Sequence, residues 1–297
     1  MLPAFFLFFA SLVNDVRDLI GRNDLAAAEN AARTYSAQAG KTPELAAAVS
    51  WLGRGALAAK KHGEAERFAK EARELSLALM KTHKLDSEPW LPVALGASIE
   101  VQAQVMAARG ERSEAVTFLR EQVALYGATS LHERIRKNLN LLSLQGQTAP
   151  ELDVREWIGA KPQTLASLRG RPVLLFFWAH WCSDCKGMVK SVASVMKTYG
   201  PKGLALVAPT KRYGYVAGGE DATPAVEKPY IEKVRGQFYS ELGQMQVPVS
   251  AANFQQYGSS STPTVVLVDR AGKVRYYHPG AVNEQELAAE VAKVMAK

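Results

Sequence analysis

The chain has 297 residues, of which 47% are hydrophobic and 22% are charged, a composition typical of a globular protein with room for two domains. The formal net charge is +7, but the 36 basic and 29 acidic residues are interspersed, without a basic tract or an aromatic-basic motif. The charge therefore does not indicate nucleic-acid binding. Two cysteines are too few for a framework of several disulfide bonds.

The chain begins with an apolar segment, residues 1–13, whose core Leu2 to Val13 is too short to span a bilayer as a helix. It is similar to the hydrophobic part of a signal peptide, with Ala10-Ser11 as a candidate cleavage site, although no Lys or Arg precedes it. A wrongly assigned start, or a first helix packed into a bundle, are the alternatives.

Residues 14–145 are rich in Ala, Leu, Glu and Arg and contain no convincing strand pattern, which predicts an all-α domain. We expect breaks between its helices at glycine-containing or proline-containing points. These points lie near Gly40, Gly63, Ser87-Glu88-Pro89, Gly110 and Gly127.

Part of this helical region resembles tetratricopeptide repeats. Trp51-Leu52-Gly53 is followed by small residues at the repeat's spacing, namely Ala65, Ala69 and Ala72. Small side chains at such positions let paired helices approach closely. The resemblance implies a surface for protein–protein contacts, and a non-repeating helical bundle is the alternative.

The two cysteines, Cys182 and Cys185, form a Cys-x-x-Cys motif after a probable linker at Ser143–Pro150. The apolar run Pro172–Trp178 before them predicts a buried strand, and the residues after them have helical periodicity. Cys182 is thus expected at a helix N-terminus, where the partial positive charge of the helix favours a thiolate.

Such a pair can serve three purposes. A structural zinc site needs two further Cys or His ligands at recognisable spacing, and the five histidines are scattered singly. Two cysteines that merely pack as small apolar residues are a second possibility. The flanking tryptophans and the strand-to-helix position favour the third, in which the pair cycles between dithiol and disulfide.

Residues 146–297 resemble the thioredoxin fold, in particular the TlpA/ResA-like thiol–disulfide oxidoreductases, a group related to the redoxins. Four segments carry the resemblance in chain order: Ala149–Leu152 with Leu165–Val173, Phe177–Cys185, Tyr257–Thr264, and Val265–Val274 with Ala-Gly at its hairpin turn. The resemblance implies an α/β thioredoxin-like domain behind the helical one, and a bacterial, periplasmic or otherwise extracytoplasmic location. The location would be cytoplasmic if the N-terminal segment is not a signal.

The same resemblance assigns roles to individual residues. Cys182 would be the more exposed, attacking cysteine, and Cys185 the resolving one. Pro263 would follow a cis peptide bond, which places the Thr262 backbone where it can hydrogen-bond an extended substrate. Trp181 is similar to the family's aromatic residue beside the cysteines.

Residues next to the cysteines are expected to tune the couple. Asp184, beside Ser183, places a carboxylate near the thiolate and favours a reductant. Lys186 and His180 would instead stabilise the thiolate if they point at the sulfur. For His180, however, a solvated surface position is the favoured interpretation.

The chain departs from the family at two positions where relatives carry an acid. Phe176, in the strand, and Met188, three residues after Cys185, are both apolar. The proton-accepting role is therefore unfilled, left to water, or moved into the segment at about 209–250. This insertion contains Tyr213, Tyr215 and a predicted helix from about Pro224 to Leu242, with Val226, Tyr230, Val234 and Phe238 at four-residue steps.

These patterns predict an enzyme that reduces protein disulfides with its own cysteine pair, receives electrons from a partner thiol–disulfide reductant, and needs no cofactor or metal. The alternatives are a helical-repeat adaptor or a copper-handling protein, for which His278 is the loose candidate ligand, and a peroxiredoxin-like peroxidase. The sequence lacks the pocket that such a peroxidase requires, because Ala179 occupies the position where Ser or Thr is needed.

Overall fold

The computed structural model describes residues 11–243 and 245–296, so the apolar segment at residues 1–10 lies outside the described part. The chain divides into two compact units, Met1–Ile135 and Arg136–Lys297. The boundary between them falls inside a helix.

The first unit is helical, as its composition predicts. Its helices are α1 (Leu12–Gly21), α2 (Leu25–Ala39), α3 (Pro43–Ala58), α4 (His62–Leu79), α5 (Leu91–Ala108) and α6 (Arg112–Leu125), and α7 (His132–Ser143) crosses the boundary between the units. Asp24 and Thr42 begin α2 and α3 by accepting backbone N–H bonds with their side chains. The expected breaks lie between helices except that Gly63 is inside the first turn of α4.

Small residues bring α3 and α4 together. A Cβ atom on Gly53 would lie 3.5 Å from the backbone nitrogen of Ala69 and 3.6 Å from the carbonyl oxygen of Ala65, so the two backbones are in close contact there. Ala65, Ala69 and Ala72 are all buried. This is the close approach that the spacing of small residues predicts, while membership of the tetratricopeptide class stays a prediction.

Helix α5 is apolar on nearly all its faces, and Ala94, Leu95, Ile99 and Val101 are among its buried residues. Within the described chain it is the one helix that by length and composition could cross a membrane, but 56% of it is buried inside the protein. Burial on all sides is also what an all-apolar core helix of a bundle shows.

The second unit is built on a four-stranded sheet. Its strands are β2 (Val173–Phe177), β3 (Ala205–Val207), β5 (Thr264–Val268) and β6 (Val274–Pro279). They lie in the order β3-β2-β5-β6, with β2 parallel to β3 and antiparallel to β5. A separate pair joins β1 (Trp157–Ile158) to β4 (Val247–Pro248). The helices are α8 (Ser183–Gly187), α9 (Val189–Tyr199), α10 (Pro224–Phe238), α11 (Ala251–Tyr257) and α12 (Glu284–Met295).

Both faces of β2 are covered, which explains its uninterrupted apolar sequence. Leu174 and Phe176 point into a core shared with α9, α10 and α12, while Leu175 and Phe177 point into a core shared with α11. The alternation follows from the two-residue period of a strand. The predicted buried strand is therefore confirmed, and it ends immediately before the cysteine segment.

The helix predicted in the inserted segment is present as α10, followed by a short 3-10 turn at Ser240–Leu242. The predicted apolar face is confirmed for Val234, which is buried, and for Tyr230, which packs against the core, but it is wrong for Val226 and Phe238, which are 56% and 41% exposed. The buried residues of α10 are Glu227, Ile231 and Val234.

Candidate active site

Cys182 and Cys185 lie where the sequence predicts, at the turn from β2 into α8. Cys182 is the N-cap residue of α8, and its Sγ atom accepts a hydrogen bond of 3.0 Å from the backbone N–H of Cys185. The two sulfurs are joined in a disulfide with the Cα atoms 5.3 Å apart. The disulfide bond is therefore formed, and it lies at the N-terminus of α8.

Both cysteines are buried, Cys182 at 3% exposure and Cys185 at 0%. The small remaining exposure belongs to the first cysteine, whose neighbour Trp181 is 48% exposed. The intervening residues Ser183 and Asp184 are also exposed. Trp181, Ser183 and Asp184 are therefore exposed residues directly beside the buried sulfur pair.

The turn that leads into the cysteines is fixed by the strand neighbours. The backbone N–H of Trp178 donates to the carbonyl oxygen of Pro209 at 3.1 Å, and its indole Nε1 donates to Ala208 at 3.0 Å. The indole ring packs against Tyr239 with centroids 4.5 Å apart. These contacts make Trp178 a core residue that sets the path of the chain toward Cys182.

The peptide bond between Thr262 and Pro263 is cis, as the resemblance implies. Pro263 is buried and Thr262 is half-buried. Phe177, at the end of β2, pairs with Thr264 at the start of β5. The strand register therefore brings the proline loop and the cysteine turn to the same end of two neighbouring strands.

His180 is not a solvated surface group, and that expectation was wrong. It is 2% exposed, and its ring makes edge contacts with Tyr213, Tyr215 and Tyr230 at centroid distances of 5.6, 5.3 and 5.3 Å. Its Nε2 atom lies 3.5 Å from Oε1 of Glu227. The inserted segment supplies all four neighbours, so His180 is buried by residues that are distant in sequence.

Burial lowers the pKa of His180, and the nearby Lys186 lowers it further, although Glu227 opposes both effects. The imidazole is therefore neutral at neutral pH. The ammonium of Lys186 itself lies 4.3 Å from the ring centroid of Phe238.

The two positions at which relatives carry an acid are occupied here by buried apolar residues. Phe176 is fully buried, and Met188 is buried with its sulfur 3.3 Å from the backbone nitrogen of Val282. The acid that does lie near the cysteine segment is Glu227. Sequence reasoning missed it, and the one available signal was a glutamate four residues before Ile231, on the apolar side of an inserted helix.

Within residues 11–243 and 245–296, the His, Cys, Asp and Glu side chains form no group of three or more that could hold a metal ion. His278, the candidate copper ligand, lies on β6 with its ring stacked on Tyr276. Its Nδ1 atom is 3.3 Å from the carbonyl oxygen of Gly280.

Known proteins share this domain. Residues 161–295 match the family model of a thioredoxin-like domain. The thioredoxin-like protein YneN of Bacillus subtilis is 26% identical over 143 residues, which are 48% of this chain and 76% of that protein. Thiol-disulfide oxidoreductase ResA of Bacillus anthracis is 25% identical over 149 residues, 50% of this chain and 78% of that protein.

Among solved structures, a putative thiol:disulfide interchange protein DsbE from Chlorobium tepidum is 24% identical, covers 51% of this chain and 97% of its own, and has a TM-score of 0.41. The family match, the sheet order and the cysteine pair define the C-terminal unit as a thioredoxin-like domain of the thiol–disulfide oxidoreductase class. Its sequence relatives include the YneN and ResA proteins.

Proposed function

We propose that this protein reduces disulfide bonds in protein substrates with the Cys182–Cys185 dithiol. The observation that carries the proposal is the position of Cys182 as the N-cap of α8, with its Sγ atom bonded by the Cys185 N–H. The same N–H can hydrogen-bond a thiolate, and a thiolate is the nucleophile in disulfide exchange.

The reaction proceeds in two exchanges. The Cys182 thiolate attacks one sulfur of the substrate disulfide, which forms a mixed disulfide and releases the other substrate sulfur as a thiolate. The Cys185 thiolate then attacks Cys182 Sγ, which releases the second substrate thiol and leaves the intramolecular disulfide. Two electrons and two protons pass to the substrate, and a partner dithiol protein must return them.

Exposed residues around the pair support a polypeptide substrate. Trp181 offers an apolar surface beside Cys182, and the half-buried Thr262 lies on the neighbouring loop. The Thr262 backbone would hydrogen-bond an extended chain, as β-strand addition does elsewhere. Asp184, exposed between the cysteines, favours a reductant because a carboxylate disfavours a nearby thiolate.

The helical unit is proposed to contact other proteins, either a substrate or a second copy. An extracytoplasmic location is proposed from the apolar residues at the start of the sequence and from the resemblance to TlpA/ResA-like proteins. No cofactor is proposed beyond the cysteine pair itself.

An insulin-reduction assay with dithiothreitol as electron source tests the function. Wild type should accelerate precipitation of the insulin B chain, and Cys182→Ser should lose that acceleration. Cys185→Ser should accumulate a mixed disulfide between Cys182 and a substrate cysteine, visible by mass spectrometry, whereas Cys182→Ser should not. An inactive wild type that binds one Cu(I) tightly would instead support the copper-handling alternative.

A further inference from the structure

A carboxylate occupies a core position of the inserted helix. The three buried residues of α10 are Glu227, Ile231 and Val234, and the two apolar ones belong to the hydrophobic cluster that also contains both cysteines. Glu227 is 1% exposed. Burying an ionised carboxylate is unfavourable unless hydrogen-bond donors or charges compensate it, so a glutamate at this position needs a physical reason.

The donors come from the loop at the start of the insertion. The backbone N–H groups of Tyr213 and Gly214 donate to the two carboxylate oxygens of Glu227 at 2.5 and 3.0 Å. Hydrogen bonds of this kind stabilise the ionised form of a carboxyl group. Glu227 therefore ties the loop to α10.

Glu227 also contacts His180, which lies two residues before Cys182. Its Oε1 atom lies 3.5 Å from Nε2 of His180, and within the described chain that nitrogen makes no geometrically sound hydrogen bond. His180 precedes Cys182 by two residues, a separation that an extended chain spans in about 7 Å. The buried pair thus stands against the turn that carries the attacking sulfur.

Three tyrosines and one lysine are the other titratable groups around the pair. Tyr213, Tyr215 and Tyr230 make edge contacts with the His180 ring, and the ammonium of Lys186, which lowers the pKa of His180, packs on Phe238. Glu227 is the acidic residue that contacts His180 from the inserted helix.

Resting on the disulfide-reductase function proposed above, we propose that Glu227 is a positioning residue of the redox site. It holds His180 and the turn before Cys182 in place, and its buried charge disfavours a second negative charge on the Cys182 sulfur. A less stable thiolate destabilises the reduced form relative to the disulfide, so Glu227 makes the couple more reducing. The inserted segment is in this way part of the active site.

Glu227→Gln removes the charge and keeps the shape of the side chain. We expect the pH midpoint of Cys182 alkylation by iodoacetamide to fall by about half to one pH unit. The equilibrium constant with glutathione should move about three- to tenfold toward the dithiol, which corresponds to about 15–30 mV for this two-electron couple. Glu232→Gln is the matched control, since its side chain lies on the same helix but is 44% exposed and should change either value less than twofold.

A Glu227→Gln protein that folds and remains within twofold of wild type in both measurements would overturn the proposal, as would shifts in the opposite direction. Near-UV circular dichroism establishes folding. If the variant does not fold, an NMR titration of the wild-type protein tests the proposal instead. The His180 ring resonances should show an inflection at the Cys182 alkylation midpoint in the reduced protein and none in the oxidised protein, because coupling between two sites is reciprocal. A reduced protein without that inflection contradicts the proposal.

Both readouts concern the cysteine pair and require no protein substrate. A wild type that fails to reduce insulin would therefore refute the proposed function, while the glutathione equilibrium would still report on Glu227.

Discussion

The hydroxyl of Thr210 donates a hydrogen bond of 2.8 Å to the carbonyl oxygen of Trp178, and both residues are fully buried. Trp178 is the first residue after β2, and Thr210 lies at the start of the inserted segment. The bond therefore joins the insertion to the turn that leads to Cys182, in addition to the backbone bond from Trp178 to Pro209.

Thr210→Val should destabilise the protein by about 1–3 kcal/mol, because it leaves a buried carbonyl oxygen without this donor while preserving side-chain volume. Urea unfolding followed by circular dichroism measures the change. Thr198→Val is the control, since Thr198 is exposed and its hydroxyl donates to the carbonyl oxygen of Ser194 in the same helix. Equal losses of unfolding free energy in the two variants would show that the buried Thr210 hydrogen bond stabilises the protein no more than the exposed Thr198 bond does.

Two buried tyrosines differ in what their hydroxyl groups meet. Tyr257 donates a bond of 2.6 Å to the carbonyl oxygen of Pro150, whereas the hydroxyl of Tyr239 has no hydrogen-bond partner among the described residues. Tyr257→Phe should cost about 1–2 kcal/mol in unfolding free energy, and Tyr239→Phe should be neutral or stabilise by up to about 1 kcal/mol. Thermal and urea unfolding of both variants test the contrast, which a larger loss in Tyr239→Phe would contradict.

Asp269, at the β5–β6 turn, predicts a pH dependence of stability. Burial raises the pKa of its carboxyl group, but the backbone N–H of Lys273 and the guanidinium of Arg275, 2.6 Å away, outweigh burial and lower the pKa below its ordinary value. A depressed folded-state pKa stabilises the fold above the unfolded-state value of about 4, and that contribution is lost as the pH falls toward the folded-state value.

Asp269→Asn should therefore be less stable than wild type at pH 7, and the difference should narrow as the pH falls from 5 to 3. Urea unfolding at several pH values measures it. Asp221→Asn, an exposed acid of the insertion, serves as the control and should follow wild type throughout. A constant difference for Asp269→Asn at all pH values would exclude the ionisation of this group as the cause.

Gly258 lies at the end of α11, in the left-handed region with φ +60°, and a Cβ atom there would be 2.3 Å from the backbone nitrogen of Lys137 on α7. Gly258→Ala should destabilise the protein by more than the roughly 1 kcal/mol expected from the backbone conformation alone. Gly110→Ala isolates that conformational cost, since Gly110 has φ +88° and no described atom within 4 Å of its Cβ position. Unfolding free energies of the two variants give the comparison, and equal losses would mean that the backbones separate without cost.

The parts of the site that neighbouring residues determine were predictable. The apolar run of β2 indicates a strand covered on both faces, and the residues after Cys182 indicate a helix, so the cysteines fall at the junction between them. Thr262-Pro263 was placed by resemblance to a family, because nothing in a Thr-Pro sequence distinguishes a cis bond from a trans bond.

The surroundings of His180 could not be predicted in this way. Its burial depends on Tyr213, Tyr230 and Glu227, whose contacts with it are set by the path of the insertion and not by any local period. The helix of that insertion also has mixed polarity, so four-residue spacing selected Val226 and Phe238 as its apolar face although the buried side includes Glu227. Apolar spacing identifies helices better than it identifies the buried side of a helix with a charged core residue.

The pairing of Phe177 with Thr264 has a consequence for biosynthesis. β5 lies between β2 and β6, so the cysteine turn acquires its neighbouring loop only after a strand that begins at Thr264 has been synthesised and has paired with β2. Until then the nascent polypeptide presents two thiols without the partner strand that completes their surroundings. Completion of the site therefore depends on a strand pairing between residues that are distant in sequence.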